Sequence, residues 1–282
     1  MTASPLVFVH GFACDRTDWR AQVDAMASRA TVVEWELPGH GSTPGAPADC
    51  TIEAYGAGLA RALRELELPP AVLVGHSMGC RVVLEANRCE PDNISGLVLV
   101  DGSRIAQGDP PAARQSMANR LDGDGYRRFV REFFESMFFP SSDPALARAI
   151  CDRAMRLPPA VGKALMTDLA GWDAGEVEAA LDAVAVPLLA IQSTTMDTTL
   201  KRVPLDPGQS SPWIDLIRAH VPSATVAVLA GSGHFPQIEL ADEVTALIAG
   251  FALGPGRVTS GPVRPPIWTG AESGARADDD ET

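Results

Sequence analysis

Paired cysteines are missing from this sequence. Its 282 residues contain five cysteines, an odd number without paired spacing, which argues against a disulfide framework and against a zinc site. Isolated thiols of this kind are typical of buried positions in a reducing compartment. No G-x-G-x-x-G pattern follows the first predicted strand, so no dinucleotide is expected. We therefore expect neither a metal nor an organic cofactor.

Long apolar runs and an excess of positive charge are also missing. No segment approaches the length that spans a membrane, and the N-terminus shows no charged region followed by a cleavage site. The formal net charge is −13, which argues against nucleic acid and anionic membranes as partners. These absences predict a cytoplasmic protein whose partner is neither nucleic acid nor a membrane, and they leave its oligomeric state open.

What the sequence does contain is an alternation of apolar strand-length segments with helical segments. Six strands are predicted, at 6–9, 31–35, 71–74, 97–100, 188–191 and 225–229. Continuous apolar strands that alternate with helices imply a parallel sheet covered on both faces and joined by right-handed crossovers. The prediction is an α/β fold with a doubly wound, mostly parallel sheet of about six strands. Ligands bind such sheets beyond the carboxyl ends of the strands.

The alternation is interrupted after the fourth predicted strand. Residues 103–181 have helical character, and we predict that they form a helical cap inserted into a core made of residues 1–102 and 182–252. Within this cap, Phe129, Phe133 and Met137 share one helical face and are predicted to line a substrate pocket. Residues 253–282 are rich in proline, glycine and acidic side chains, which predicts a disordered or surface-draped tail.

The most informative motif is Gly75-His76-Ser77-Met78-Gly79, a G-x-S-x-G pattern between a predicted strand and a predicted helix. In this context the pattern indicates a nucleophile elbow, a turn so sharp that the serine adopts strained backbone geometry. The flanking glycines lack a Cβ atom and so permit the close approach of neighbouring backbone. Ser77 is therefore the predicted nucleophile.

A serine hydroxyl needs a base before it becomes a good nucleophile. The chain has five histidines, at His10, His40, His76, His220 and His234. His234 follows the last predicted strand, where a chain order of serine, acid and histidine requires the base to lie. His76 is the neighbour of the serine, and its side chain should point away from that of Ser77. His234 is therefore the predicted base.

Two aspartates compete for the role of the acid that orients the histidine. Asp101 ends the fourth predicted strand, and Asp197 follows the fifth. Either one could instead be a turn residue or a solvated loop residue. The oxyanion hole is predicted to come from the backbone N–H groups of Met78, which follows the nucleophile, and of Phe12, in the loop after the first strand.

Four motifs in this order resemble the α/β-hydrolase superfamily, and in particular its small capped serine esterases and lactonases. Besides the elbow, they are His10-Gly11-Phe12, Leu37-Pro38-Gly39-His40-Gly41-Ser42 and Gly233-His234-Phe235. The resemblance implies Ser77 as nucleophile, His234 as base, and Phe12 and Met78 as oxyanion donors. A serine at the elbow distinguishes this chain from the haloalkane dehalogenases and epoxide hydrolases of the superfamily, which carry an aspartate there.

The sequence departs from the family pattern in the loop that usually carries the acid. The resemblance implies Asp197, but the loop at 193–196 lacks the usual glycine, and the aspartate falls one residue late. A minority of the superfamily places the acid after the preceding strand, which would be Asp101. We favour Asp101 and keep Asp197 as its competitor. The N-terminal hairpin usual in the family is also missing.

The function that we expect is hydrolysis of a carboxylic ester or lactone of a small-to-medium apolar substrate through an acyl-serine intermediate. A carbon–carbon bond hydrolase and a cofactor-free lyase use the same three residue types and remain alternatives. A ligand sensor that turns over slowly is a further alternative from another functional class.

Overall fold

The fold is known from a computed structural model that describes residues 4–254 and, for the backbone alone, residues 268–269. The strands are β1 (Leu6–Val9), β2 (Val32–Glu36), β3 (Ala71–His76), β4 (Ile94–Val100), β5 (Leu188–Gln192), β6 (Thr194–Met196), β7 (Arg202–Pro204), β8 (Thr225–Val228) and β9 (Trp268–Thr269). The α-helices are α1 (Arg20–Met26), α2 (Ile52–Glu65), α3 (Gly79–Cys89), α4 (Pro110–Arg120), α5 (Gly125–Glu135), α6 (Pro144–Ala154), α7 (Pro159–Gly175), α8 (Val177–Asp182), α9 (Pro212–His220), α10 (Pro236–Glu239) and α11 (Ala241–Leu253).

The main sheet has the strand order β8-β5-β4-β3-β1-β2-β9, and all of its strand pairs are parallel. The predicted doubly wound sheet is therefore confirmed, with six strands of three residues or more and the two-residue β9 beyond β2. The strand order reverses direction between β1 and β3, and the crevice at such a reversal is the usual ligand site in open α/β sheets. Apart from 253, 254, 268 and 269, the residues of the predicted tail lie outside the described residues.

The inner strands β1, β3 and β5 are buried at every position, because they carry apolar side chains that face both sides of the sheet. In β1, Val7 and Val9 pack into a core cluster with residues of α2 and α3, whereas Leu6 and Phe8 pack into a second cluster with residues of α1 and α11. All four side chains are fully buried. This double burial explains why the strands read as unbroken apolar runs.

Two features differ from the sequence-based expectation. The final helix, predicted over 238–251, is divided into α10 and α11 because Leu240 adopts a non-helical conformation with φ −127° and ψ 52°. The loop after β5 contains an antiparallel hairpin, β6–β7, which the sequence did not predict. Strands of three residues are too short to show a period of two.

Between β4 and β5 the chain forms five helices, α4 to α8, which we call the helical insertion (residues 110–182). Asp109 and Asp143 begin α4 and α6 by accepting hydrogen bonds from the first-turn backbone N–H groups, and each is followed by proline at the first helical position. No helix within residues 4–254 is both long and apolar enough to cross a membrane.

The helical insertion contacts the carboxyl ends of the strands. The carbonyl of Met137 accepts a 2.9 Å hydrogen bond from the backbone N–H of His234. The rings of Phe134 and Phe12 lie 6.4 Å apart, centroid to centroid. The division of the chain at 102/103 and 181/182 into a core and a cap stays a prediction.

Candidate active site

The turn between β3 and α3 carries Ser77 with φ +54°, a left-handed conformation that is costly for a residue with a Cβ atom. The glycines on either side have no room for a side chain. A Cβ on Gly75 would lie 2.3 Å from the carbonyl oxygen of Gly79, and one on Gly79 would lie 2.6 Å from the carbonyl oxygen of Val9. The sharp turn therefore depends on both glycines, and it leaves Ser77 partly exposed above the sheet.

The structure brings Ser77 and His234 together although 157 positions separate them in the sequence. The Oγ of Ser77 lies 2.8 Å from Nε2 of His234. The imidazole itself is 1% exposed, so the serine is the part of this pair that a ligand can reach. In this geometry the hydroxyl donates to Nε2, and Nδ1 carries the proton.

Asp101 is the acid that contacts His234. Its Oδ2 lies 2.6 Å from Nδ1 of His234. The carboxylate also accepts hydrogen bonds of 2.8 Å from the backbone N–H groups of Ser193 and Thr194 and one of 2.5 Å from the Thr194 hydroxyl. Asp101 adopts φ +45° at the end of β4, a conformation that aspartate tolerates better than most residues do.

Asp197, the competing candidate, lies in the turn of the β6–β7 hairpin. Its Oδ1 accepts hydrogen bonds from the backbone N–H and the hydroxyl of Thr199 and from the backbone N–H of Lys201. The side chain is exposed. These contacts are those of a residue that stabilises its own turn.

The environment of the site keeps Asp101 charged and His234 neutral. Burial would raise the pKa of Asp101, but the hydrogen bond and charge of His234, together with the charge of Arg202, lower it to about 2. Burial, followed by the positive charge of Arg202, lowers the pKa of His234 to about 4, although Asp101 acts in the opposite direction. A neutral imidazole beside a carboxylate is the protonation state in which Nε2 can accept a proton.

Several buried contacts fix the loop that carries His234. The Nε2 atom of His76 lies 2.8 Å from the carbonyl oxygen of His234, and the centroids of the two imidazole rings are 4.7 Å apart. The Ser193 hydroxyl donates a 2.7 Å hydrogen bond to the carbonyl of Gly233. Burial is the main reason why the pKa of His76 lies well below the ordinary histidine value. His76 therefore braces the loop as a neutral side chain.

The loop after β1 lies directly beside the serine. A Cβ on Gly11 would be 3.1 Å from the Cβ of Ser77, so Phe12, the next residue, is adjacent to the elbow. Met78 follows Ser77 and begins α3 with helical backbone angles. His10 braces this loop because its Nδ1 lies 2.9 Å from the Gly11 carbonyl oxygen and its Nε2 accepts from the backbone N–H of Leu37.

Two buried arginines near the elbow were not predicted from the sequence. Arg81 on α3 binds Asp173 of the helical insertion through two hydrogen bonds of 3.0 and 2.8 Å, and it also donates to the carbonyl of Ser77. Arg202 on β7 reaches the other side of the site, where its guanidinium lies 3.4 Å from Nε2 of His234. The sequence carries no signal for this position because Arg202 stands in a polar stretch that resembles an ordinary loop.

The residues predicted to line a pocket are packed together. The rings of Phe129 and Phe133 stack at 5.2 Å, and Phe133 contacts Phe134 at 6.0 Å. Phe134 in turn contacts Phe12, so a row of rings leads from the helical insertion to the loop beside Ser77. Met137 is 2% exposed and reaches the site through its carbonyl. The pocket role of Phe129, Phe133 and Met137 stays a prediction.

No group of three or more histidine, cysteine, aspartate or glutamate side chains among residues 4–254 is arranged to hold a metal ion.

The chain is similar to known proteins over most of its length. A model of the alpha/beta hydrolase family matches residues 6–247. The chain is 28% identical over 261 residues to the dihydrolipoyllysine-residue acetyltransferase component of the acetoin cleaving system of Cupriavidus necator, and the match covers 87% of this chain and 63% of that protein. The chain therefore spans less than two thirds of that relative's length.

Solved structures of similar proteins cover nearly the whole chain. A thermophilic esterase from Thermogutta terrifontis superposes with a TM-score of 0.71 and 25% identity, covering 89% of each chain. The protein olei00960, a hydrolase from Oleispira antarctica, superposes with a TM-score of 0.73 and 19% identity, covering 90% of this chain and 92% of that one. At 19% identity the second likeness shows the fold alone.

Proposed function

The chain belongs to the alpha/beta hydrolase family, as its motifs predicted, and from this premise we propose that it is a serine hydrolase of carboxylic esters or lactones. The observation that carries the proposal is the continuous set of hydrogen bonds from Ser77 through His234 to Asp101, with distances of 2.8 and 2.6 Å. Such a set makes a serine hydroxyl nucleophilic at neutral pH.

Acylation begins when Ser77 Oγ attacks the carbonyl carbon of the substrate. The hydroxyl proton moves to Nε2 of His234, and the carboxylate of Asp101 stabilises the imidazolium that forms. The tetrahedral intermediate then collapses, His234 returns the proton to the leaving oxygen, and the acyl group stays on Ser77. With a lactone, the leaving alcohol remains part of the acyl chain.

The developing oxyanion would be held by the backbone N–H groups of Phe12 and Met78. These residues belong to the two segments that meet beside the serine, and Met78 also lies at the positive end of the α3 dipole. Each donor of this kind typically contributes about 3 kcal/mol of transition-state stabilisation.

Deacylation repeats the same proton movements with water as nucleophile. His234 takes a proton from the water, the hydroxide attacks the acyl carbon, and the proton is then delivered to Ser77 Oγ. The low pKa of His234 keeps this imidazole neutral at physiological pH and so ready for each step.

We propose an apolar substrate because aromatic side chains of the helical insertion approach the site. Phe134 contacts Phe12, and Phe129 and Phe133 continue this aromatic row within the helical insertion. In this proposal, residues 103–181 form the cap and the acyl or alcohol part of the substrate packs against its rings. The similarity to the Thermogutta terrifontis esterase, at 25% identity, is a further observation that supports an ester as the substrate.

The experiment that tests the proposal measures hydrolysis of p-nitrophenyl esters of increasing acyl length and of simple lactones. Ser77→Ala should reduce kcat/KM by at least about 1,000-fold without changing the circular dichroism spectrum. Ser223→Ala, which alters an exposed serine in the turn before β8, is the matched control and should leave kcat/KM unchanged. Equal turnover by the wild type and Ser77→Ala would contradict the proposal.

Parallel assays address the alternatives that use the same side chains. A ring-fission dienone cleaved faster than every ester would favour a carbon–carbon bond hydrolase. An elimination or addition product formed without water uptake would favour a lyase. A single turnover followed by a long-lived adduct would favour a slow sensor.

A further inference from the structure

A buried guanidinium lies against the atom of His234 that must accept the serine proton. The Nη2 of Arg202 is 3.4 Å from Nε2 of His234 and 3.2 Å from the Ser103 hydroxyl. Its Nη1 is 3.3 Å from the Thr194 hydroxyl and 3.8 Å from the Asp101 carboxylate. The Arg202 side chain is 1% exposed. Burial lowers the pKa of Arg202, but only to about 10, so the guanidinium keeps its positive charge at neutral and mildly acidic pH.

The β6–β7 hairpin positions the Arg202 side chain beside His234. Arg202 pairs with Met196 across the hairpin, and its neighbour Val203 points outward, with 40% of its surface exposed. Because side chains alternate along a strand, an outward Val203 leaves Arg202 directed inward. The same loop supplies Thr194, which holds Asp101. One loop therefore contacts both the acid and the base.

Nε2 of His234 has one lone pair, and two donors are directed toward it. The Ser77 hydroxyl is the nearer, at 2.8 Å, and Arg202 is the more distant, at 3.4 Å. Once Nε2 is protonated, its N–H faces a second positively charged donor. Protonation of His234 is therefore opposed by Arg202 at the same atom where catalysis requires it.

The other charged or titratable groups near His234 act in different directions. Asp101 favours the protonated imidazole, whereas Arg81 on α3 disfavours it less strongly than Arg202 does. His76 on β3 is neutral and contacts the carbonyl of His234. On α10, Glu239 is engaged by the Ser142 hydroxyl at 2.6 Å. Arg202 is the positive group that reaches Nε2 itself.

We propose that Arg202 is a positioning residue that sets the protonation state of His234 by its direct contact with Nε2. It offsets the charge of Asp101, so the resting site holds one negative and one positive group around a neutral imidazole. The base then stays unprotonated in mildly acidic solution, where a histidine beside an uncompensated aspartate would already be charged. This inference rests on the proposed function, because it assigns His234 the role of base.

The experiment measures the second-order rate of phosphonylation of Ser77 by a fluorophosphonate between pH 5.5 and 8. In this reaction Ser77 Oγ attacks phosphorus, fluoride leaves and the serine proton passes to His234, so the rate follows the unprotonated fraction of the imidazole. Arg202→Gln removes the charge but retains hydrogen-bonding groups. Arg202→Lys retains the charge. Lys201→Gln, which removes an exposed positive charge on the adjacent residue, is the matched control.

We expect the wild type, Arg202→Lys and Lys201→Gln to react at nearly constant rates across this range. Arg202→Gln should react at least about threefold more slowly at pH 5.5 than at pH 8, because its His234 becomes partly protonated. A flat profile for Arg202→Gln would overturn the inference, and so would an equal decline in Lys201→Gln. A residue with only a structural role would lower the rate equally at every pH.

Tryptophan fluorescence at each pH identifies a variant that does not fold. Should Arg202→Gln be unfolded, the titration of His234 in the wild type by ¹⁵N NMR replaces it. Nε2 should remain unprotonated at pH 5.5, and a protonated Nε2 at that pH would overturn the inference. Failure of the wild type to label at any pH would instead contradict the proposed function itself.

Discussion

The hydroxyl of Thr194, at the start of the loop after β5, donates a 2.5 Å hydrogen bond to the carboxylate of Asp101, at the end of β4. The loop in which the resemblance implied an acid thus supplies donors to an acid from the preceding strand. Two backbone N–H groups, those of Ser193 and Thr194, complete the contact. An aspartate after either of two neighbouring strands can reach the same histidine, because the carboxyl ends of parallel strands lie at the same edge of a sheet.

This relationship predicts unequal effects of two conservative substitutions. Asp101→Asn should reduce kcat by about 1,000- to 10,000-fold, because an amide cannot hold His234 in the required tautomer or stabilise its charged form. Asp197→Asn should change kcat by no more than about twofold, since an amide oxygen still accepts the turn hydrogen bonds. Steady-state kinetics on the ester substrate check both. Loss of activity in Asp197→Asn with retention in Asp101→Asn would reverse the assignment of the acid.

The elbow predicts that its glycines tolerate no side chain. Gly75→Ala would place a Cβ 2.3 Å from a backbone oxygen atom, and Gly79→Ala would place one at 2.6 Å. Both distances are steric clashes that the backbone of the turn would have to shift to relieve. We expect each substitution to lower the free energy of unfolding by more than about 3 kcal/mol or to prevent folding. A Cβ on Gly58 in α2 would have no neighbouring atom within 4 Å. Gly58→Ala should therefore raise the free energy of unfolding by up to about 1 kcal/mol. Urea unfolding compares the three.

The ion pair between Arg81 and Asp173 connects the elbow helix to the helical insertion. Both side chains are at most 1% exposed, so removing one partner leaves a buried charge without compensation. Arg81→Met should therefore lower the free energy of unfolding by about 3–5 kcal/mol. The double variant Arg81→Met/Asp173→Leu should recover a large part of this loss. Additive losses in the double variant would show that the pair is not coupled.

Buried histidines predict how stability depends on pH. Burial lowers the pKa to about 4 in His10 and to about 3 in His40, and with Arg202 it lowers that of His234 to about 4. Below about pH 6.5 the unfolded chain takes up protons that the folded chain does not bind. The free energy of unfolding should therefore fall as the pH drops from 6.5 toward 4, by roughly 1 kcal/mol per histidine and pH unit.

Denaturant unfolding at pH 7.5, 6.5 and 5.5 measures this dependence. His40→Gln removes one of the contributing groups and should make the dependence on pH shallower, whatever its effect on stability at pH 7.5. Constant stability from pH 7.5 to 5.5 would contradict the neutral burial of these side chains.

Much of the fold and part of the site follow from local sequence patterns. Apolar runs such as 71–74 predicted the strands because burial on both faces leaves no polar position. The two glycines around Ser77 predicted the sharp turn, and the observed φ of +54° agrees with that prediction. The position of His234 after the last strand was enough to bring it near the serine, since parallel strands end at a common edge.

The remaining features depend on contacts between distant segments. The sequence favoured Asp101 but left Asp197 as a competitor, because the donors to Asp101 lie more than 90 positions away. Arg202 gave no signal, since only the pairing of two three-residue strands turns it inward. The break at Leu240 was also missed, because its neighbours on both sides favour a helix.

The central claim is that His234 makes the hydroxyl of Ser77 nucleophilic, and mass mapping of a fluorophosphonate adduct at pH 7.5 tests it most directly. The account predicts that the label resides on the peptide containing Ser77 and that His234→Ala, folded by circular dichroism, labels at least about 100-fold more slowly. A label on another side chain, or equal labelling of Ser77 in His234→Ala, would contradict the account.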